Sequence, residues 1–228
     1  MTEGDSMFID THLHEKKYSG DSFVSLEEIV GKAKSLGLNG VCITDHESNE
    51  IKEEADRLSR KLDFLIITGA EILTYEGDMT VFGLKDLPKQ KLHAKELTAK
   101  VKAVGGVAIC AHPYRKNNRG MGDYIRELDW LWGIEAFNGS TPEQYNIQAY
   151  ELARELGVPA LGGSDAHHIE QVGKFATWVP NWVRDEATFI RAVQAGLAYP
   201  AVNNGSGYEI YSGTYKSYRV GNSCSVFA

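Results

Sequence analysis

The chain has 228 residues, of which 43% are hydrophobic and 24% charged. That length and composition suit a single α/β domain with a sizeable core over residues 1–228. A formal net charge of −7 excludes a protein that coats nucleic acid, which needs a basic face, although acidic residues binding metal ions would reverse the sign locally.

No apolar run approaches the roughly 20 residues of a membrane span, and the polar stretch 1–5 shows no secretory signal. Among three cysteines, Cys42 and Cys110 lie in apolar runs, Cys224 stands apart, and no Cys-x-x-Cys spacing occurs. Buried reduced thiols in a cytoplasmic protein are therefore expected, with no membrane partner.

Apolar Met7, Phe8 and Ile9 break abruptly into Asp10, Thr11, His12, Leu13 and His14, as a strand does where it reaches the end of a sheet. Positions two apart share a strand face, so His12 and His14 project together, a geometry that a divalent metal can use. After a polar loop, Ser25 and Glu28 form a capping box, and Leu26, Ile29, Val30, Ala33 and Leu36 trace a helical face that Gly37 stops. A strand at 41–43 ends in Thr44, Asp45 and His46. A charged helix near 50–61 leads to a strand at 64–67 that ends in Gly69, Ala70 and Glu71. The turn Glu76, Gly77, Asp78 suggests a hairpin partner at 79–84.

A helix over 94–103 and a strand over 107–111 end in His112 and Pro113, followed by a basic loop carrying Arg115, Lys116 and Arg119. A strand at 133–137 carries Glu135 and reaches Asn138, and Pro142 opens a helix to about 156. The strand 159–161 runs into Gly162, Gly163, Ser164, Asp165, Ala166 and His167. A strand at 176–179 and a helix at 186–195 follow. Beyond Tyr199, residues Tyr208, Tyr211, Tyr215 and Tyr218 suit either an edge hairpin or a wall over the site.

Alternating strands and helices point to parallel strands with right-handed crossovers, in an open sheet or a barrel. The polar residues decide between them. His12, His14, His46, Glu71, His112, Asp165 and His167 all fall at C-terminal strand ends, which converge at the mouth of a barrel. His93 and His168 are read as surface residues. Seven candidate ligands exceed what one ion uses, and a shared carboxylate suggests two or more ions about 3.5 to 4 Å apart. Mixed nitrogen and oxygen donors admit Zn, Mn or Fe.

In order and spacing, Asp10 to His14, Thr44 to His46, Gly69 to Glu71, Ala111 to Pro113, Ile134 to Asn138 and Gly163 to His167 resemble the motifs of the PHP (polymerase and histidinol phosphatase) family. The resemblance covers about 7–200 and leaves the tail after about Tyr199 outside. It implies a distorted (β/α)7 barrel with two or three divalent metals that hydrolyses phosphoesters. Carried over, His12, His14, Glu71 and Asp165 resemble one metal site, with Glu71 as the bridging carboxylate. His46 and His167 resemble ligands of another ion, and His112 of a third position sharing Glu71. Asp10 and Asp45 are read as groups that orient the ligand imidazoles.

Two positions depart from the family pattern. Ser19 stands where an Asp is usual, so Asp21, or alternatively Glu15, is the candidate to reach the metal. Thr80 stands where a His is frequent, so the position shared by His112 is expected to be weakly filled or completed by Asp78 or a water. Arg115 or Arg119 is a candidate grip for a substrate phosphate, because a guanidinium forks onto phosphate oxygens, and Asn138 is a candidate hydrogen-bond partner.

The leading expectation is a phosphoesterase acting on a small phosphomonoester, such as a nucleotide or a sugar or amino-alcohol phosphate, by metal-activated water. His112 or His167 would help to neutralise the leaving oxygen. Alternatives are a phosphodiester-cleaving nuclease of the same family, an amidohydrolase-type C–N hydrolase, and a non-catalytic metal-binding regulatory barrel. Neither substrate identity nor oligomeric state is legible.

Overall fold

A computed structural model describes residues 6–212 and, further on, the backbone of two short strands. The first half contains β1 (Ser6–Leu13), α1 (Leu26–Ser35), β2 (Gly40–Ile43), α2 (Lys52–Leu62), β3 (Leu65–Thr68), β4 (Ala70–Leu73), β5 (Asp78–Phe82) and α3 (Ala94–Ala103). The second contains β6 (Val107–Cys110), β7 (Gly133–Asn138), α4 (Glu143–Leu156), β8 (Ala160–Gly163), β9 (Phe175–Pro180), α5 (Glu186–Gln194), β10 (Tyr199–Asn203) and β11 (Tyr208–Ile210). The short strands β12 (Tyr218–Arg219) and β13 (Ser225–Val226) pair with each other.

Local chemistry accounts for the helix starts. At α1 the Glu28 carboxylate accepts the Ser25 amide at 2.8 Å, the Ser25 hydroxyl accepts the Glu28 amide, and Leu26, Ile29, Val30 and Ala33 are buried. At α5 the Asp185 carboxylate accepts the Thr188 amide at 2.8 Å.

The strands form a six-stranded sheet, β11-β10-β9-β1-β2-β3, and a five-stranded sheet, β4-β5-β6-β7-β8. Only β1-β2-β3 and β6-β7-β8 are parallel; β9 and β10 join the first sheet antiparallel, as β4 and β5 join the second. The antiparallel β9 and β10 depart from the expected parallel strands, whereas β4 with β5 is the expected hairpin. The segment between β4 and β5 is a tight turn, too short for the crossover that a parallel pair requires.

Nor do the ladders of the described residues close into the expected (β/α)7 barrel; the fold is mixed α/β with two sheets. Single bridges, His46 with Glu71 and Leu13 with Ala166, span the seams between them. Ile9, Ile67, Ile109 and Leu161, drawn from both sheets, pack into one shared core. Residues of α1 and α2 cover the outside of the first sheet, and residues of α3 and α4 that of the second.

The tyrosine-rich stretch begins as an edge hairpin, β10 with β11, added to β9. Tyr208 stacks on Phe8 and donates to the Gly173 carbonyl, while Tyr211 packs against Phe137. Tyr215 lies outside the described residues. Among these residues Cys42 and Cys110 are buried free thiols, and no helix is long and apolar enough to cross a membrane.

Candidate metal centre

Hydrophobic residues hold each strand in the core up to the point where its polar end begins, and those ends meet at the two seams. His12 and His14 leave the end of β1 with their Nε2 atoms 3.0 Å apart. His46 follows β2, Glu71 lies in β4, His112 follows β6, and Asp165 and His167 follow β8. The Glu71 carboxylate sits among imidazoles. Its Oε1 lies 3.0 Å from His112 Nε2 and 3.5 Å from His12 Nε2, and its Oε2 lies 2.8 Å from His46 Nδ1 and 3.6 Å from His14 Nε2. Asp165 Oδ1 is 3.2 Å from His14 Nε2 and 3.7 Å from both His12 Nε2 and His167 Nδ1.

These groups are buried except at the mouth, where the His46 and His167 side chains are 25% and 21% exposed. Asp21 reaches across that mouth, its Oδ2 3.1 Å from His46 Nε2 and 3.4 Å from His167 Nε2. Glu15 does not take this place; its carboxylate accepts the amides of Lys17 and Tyr18. Ser19 bridges His14 Nδ1 at 3.3 Å and Asp45 Oδ1 at 2.8 Å. His93 and His168 are exposed, away from the cluster.

The supporting carboxylates are arranged differently from expectation. Asp10 touches no imidazole: its oxygens accept the amides of Ser164, Gly173 and His12, tying β1 to the segment after β8. Asp45 accepts the Glu15 amide and the Ser19 hydroxyl, so it reaches His14 only through Ser19. The carboxylate that holds a candidate-ligand imidazole is that of Glu135, whose Oε1 is 2.9 Å from His12 Nδ1. The sequence marks Glu135 only by its place in a strand, since an acidic residue inside an apolar strand gives no sign of its partner.

The backbone is shaped around the same groups. His112 and Asp165 have positive φ angles of 28° and 51°, a region that non-glycine residues occupy at a cost. At position 163 only glycine fits, because a Cβ would lie 2.6 Å from His12 Cβ.

Electrostatics separate the two neighbouring imidazoles. Burial opposes charge on His12, but Glu135, Asp165 and Glu71 outweigh it and hold its pKa well above the ordinary value. Burial lowers His14 to about 4. Despite burial, His12 and its neighbours keep the Glu71 and Asp165 carboxylates well below their usual range. Burial raises Asp10 to about 6 and Asp45 to about 7.

This donor set fits divalent metal ions. His12 commits Nδ1 to Glu135, so both Nε2 atoms of the His12 and His14 pair aim into the cluster. Ligand atoms converge within 4.8 Å in four groups: His14, His46 and His167; His12, His14 and Glu71; His12, His112 and Asp165; and Glu71, Asp78 and His112. A buried Asp78 oxygen, Oδ1, also lacks a protein partner. Arg115 donates to Asp165, Asn138 and Thr141, and Arg119 to Asp78.

A mixed α/β fold whose strand ends gather imidazoles around a shared carboxylate defines a metal-dependent hydrolase. The chain belongs to the PHP family: the PHP domain matches residues 10–129, and the PHP-associated family matches 143–197. An uncharacterized protein of Methanocaldococcus jannaschii is 36% identical over 163 residues, 66% of this chain and 94% of that protein. A protein of Caldicellulosiruptor bescii named a probable phosphatase is 26% identical over 207 residues, 73% of this chain and 82% of its own length. Among solved structures, a Bacteroides vulgatus two-domain protein described as containing a predicted PHP-like metal-dependent phosphoesterase superposes with a TM-score of 0.72 at 20% identity, covering 89% of this chain and 66% of that one.

Proposed function

We propose that this chain hydrolyses a phosphate ester, in the first instance a small phosphomonoester, as a metal-dependent phosphoesterase. The observation that carries the reading is the Glu71 carboxylate, faced by His12 on one oxygen and His46 on the other, one imidazole from each of the two ion positions assigned below. That is the disposition of a carboxylate shared between ions. The phosphatase name of the Caldicellulosiruptor bescii relative supports the choice of ester.

In this reading His12, His14, Glu71 and Asp165 hold one ion, and His46, His167 and Asp21 hold another, with Zn, Mn or Fe as candidates. When bound, such ions lower the pKa of a water and offset charge on phosphoryl oxygens. Arg115, fixed by Asn138 and Thr141 beside Asp165, is the group that orients a phosphate oxygen. His112, which neither of these ions takes, is the candidate to hold a proton for the leaving oxygen, while His167 serves as an ion ligand on the exposed side. Glu135 fixes the His12 ring. The buried free thiols Cys42 and Cys110 accord with a reducing, cytoplasmic setting.

The test compares turnover of a generic phosphomonoester and a phosphodiester with added Mn²⁺. The account expects preferred hydrolysis of the monoester, lost in Asp165→Ala together with bound metal. Preferred diester cleavage would make the chain a nuclease. An Asp165→Ala variant with full activity and full metal would refute the site.

A further inference from the structure

We infer that Arg119 is a built-in cation at the corner formed by Glu71, Asp78 and His112, so that this chain loads two divalent ions and fills the third position with its own guanidinium. The inference rests on the metal-centre reading above. Asp78 and Glu71 are both buried, and two carboxylates so placed demand compensating positive charge. The chain supplies it. Arg119 Nε lies 2.6 Å from Asp78 Oδ2, and its Nη2 lies 3.9 Å from Glu71 Oε2 and 3.5 Å from His46 Nδ1.

The guanidinium is held there by backbone as well as by charge. The Asp78 amide donates to the Arg119 carbonyl at 2.8 Å, and the Arg119 amide donates to Asn117 Oδ1 at 3.1 Å. At Gly77, where φ is 154°, a Cβ would lie 2.9 Å from the Arg119 carbonyl oxygen and 2.5 Å from the Met121 nitrogen, so the hairpin and the loop approach as closely as backbones can. Thr80 pairs with Glu71 across the hairpin and offers a hydroxyl, with no imidazole for a third ion. Asp78 Oδ2 lies 3.8 Å from His112 Nε2, and Asp78 Oδ1 is buried without a partner. The corner therefore retains ligands for an ion once the arginine is taken away. An arginine does not deprotonate in a protein, so an ion entering this corner must displace it.

The test is metal stoichiometry, read by mass spectrometry after loading with Mn²⁺ and desalting, with affinities from chelator competition. The account expects two equivalents in the unaltered protein and in Arg119→Lys. In Arg119→Met, which keeps the length and removes the charge, it expects a third equivalent bound at least tenfold more tightly than in the unaltered protein. Adding Asp78→Asn to Arg119→Met removes that third ion. Three tight equivalents in the unaltered protein would overturn the inference, whether or not the variants fold. So would two equivalents in a folded Arg119→Met. Both results leave the metal centre standing, whereas absence of bound metal from the unaltered protein would overturn the inference and the centre together.

Discussion

Glu135 links two histidines of the cluster through one carboxylate: Oε1 lies 2.9 Å from His12 Nδ1, while Oε2 accepts the His112 amide at 3.0 Å. One side chain on β7 thus sets the ring of the first histidine and the backbone of the fourth strand end. Glu135→Gln keeps the shape and removes the charge that makes His12 a stronger ligand. Losses at such supporting positions typically cost 10- to 100-fold in metal affinity, about that range being expected here. Chelator competition reads it directly.

Gly163 permits the close approach of β8 to His12. Gly163→Ala would push a methyl group against His12 Cβ and Glu135 Oε1, positions 2.6 Å and 2.8 Å from the added atom. Overpacking of this kind costs about 1–3 kcal/mol. The expected outcome is a lowered unfolding midpoint and weakened metal binding in the same variant.

Arg115 is expected to act on substrate binding. Replacing it by Ala removes charge-assisted hydrogen bonds worth about 1.5–3 kcal/mol, or roughly a ten- to hundredfold fall in kcat/KM carried mainly by KM. Steady-state kinetics on a phosphomonoester checks this. An unchanged kcat/KM would remove Arg115 from the substrate site.

Away from the site, Asp185 caps α5. Its bonds from the Thr188 hydroxyl and amide hold its pKa below the ordinary 3.8. The depressed folded value means that its stabilisation is complete above the unfolded pKa and is lost as pH falls through the folded one. Asp185→Ala should therefore cost about 1 kcal/mol near pH 7 and progressively less in acid below the unfolded value, as denaturant titrations at several pH values would show.

The parts of this molecule that were legible in the sequence are those written in adjacent residues. Ser25 with Glu28 announces α1, and the breaks from Ile43 and from Ala111 into polar residues fall at the ends of β2 and β6, whereas β1 runs four residues past the break at Ile9, to Leu13. What was not legible depends on register between distant strands. Nothing near Glu135 announces His12, 123 positions away, and nothing near Arg119 announces Asp78. The same holds for β9 beside β1, where Ile9 faces Thr177 in antiparallel register. Residues 199–203, set apart with the tail, add to that sheet as β10 because β9 offers an open edge.

The central claim is that ions held by His12, His14, His46, Glu71, Asp165 and His167 support ester hydrolysis. The most direct measurement strips the protein with a chelator, removes the chelator, and follows phosphomonoester hydrolysis as Mn²⁺ or Zn²⁺ is returned in known equivalents. The account predicts negligible turnover in the stripped protein and recovery that levels off when the bound equivalents are filled, with His12→Ala failing to recover. Full turnover in the metal-free protein, or full recovery by His12→Ala, would contradict it.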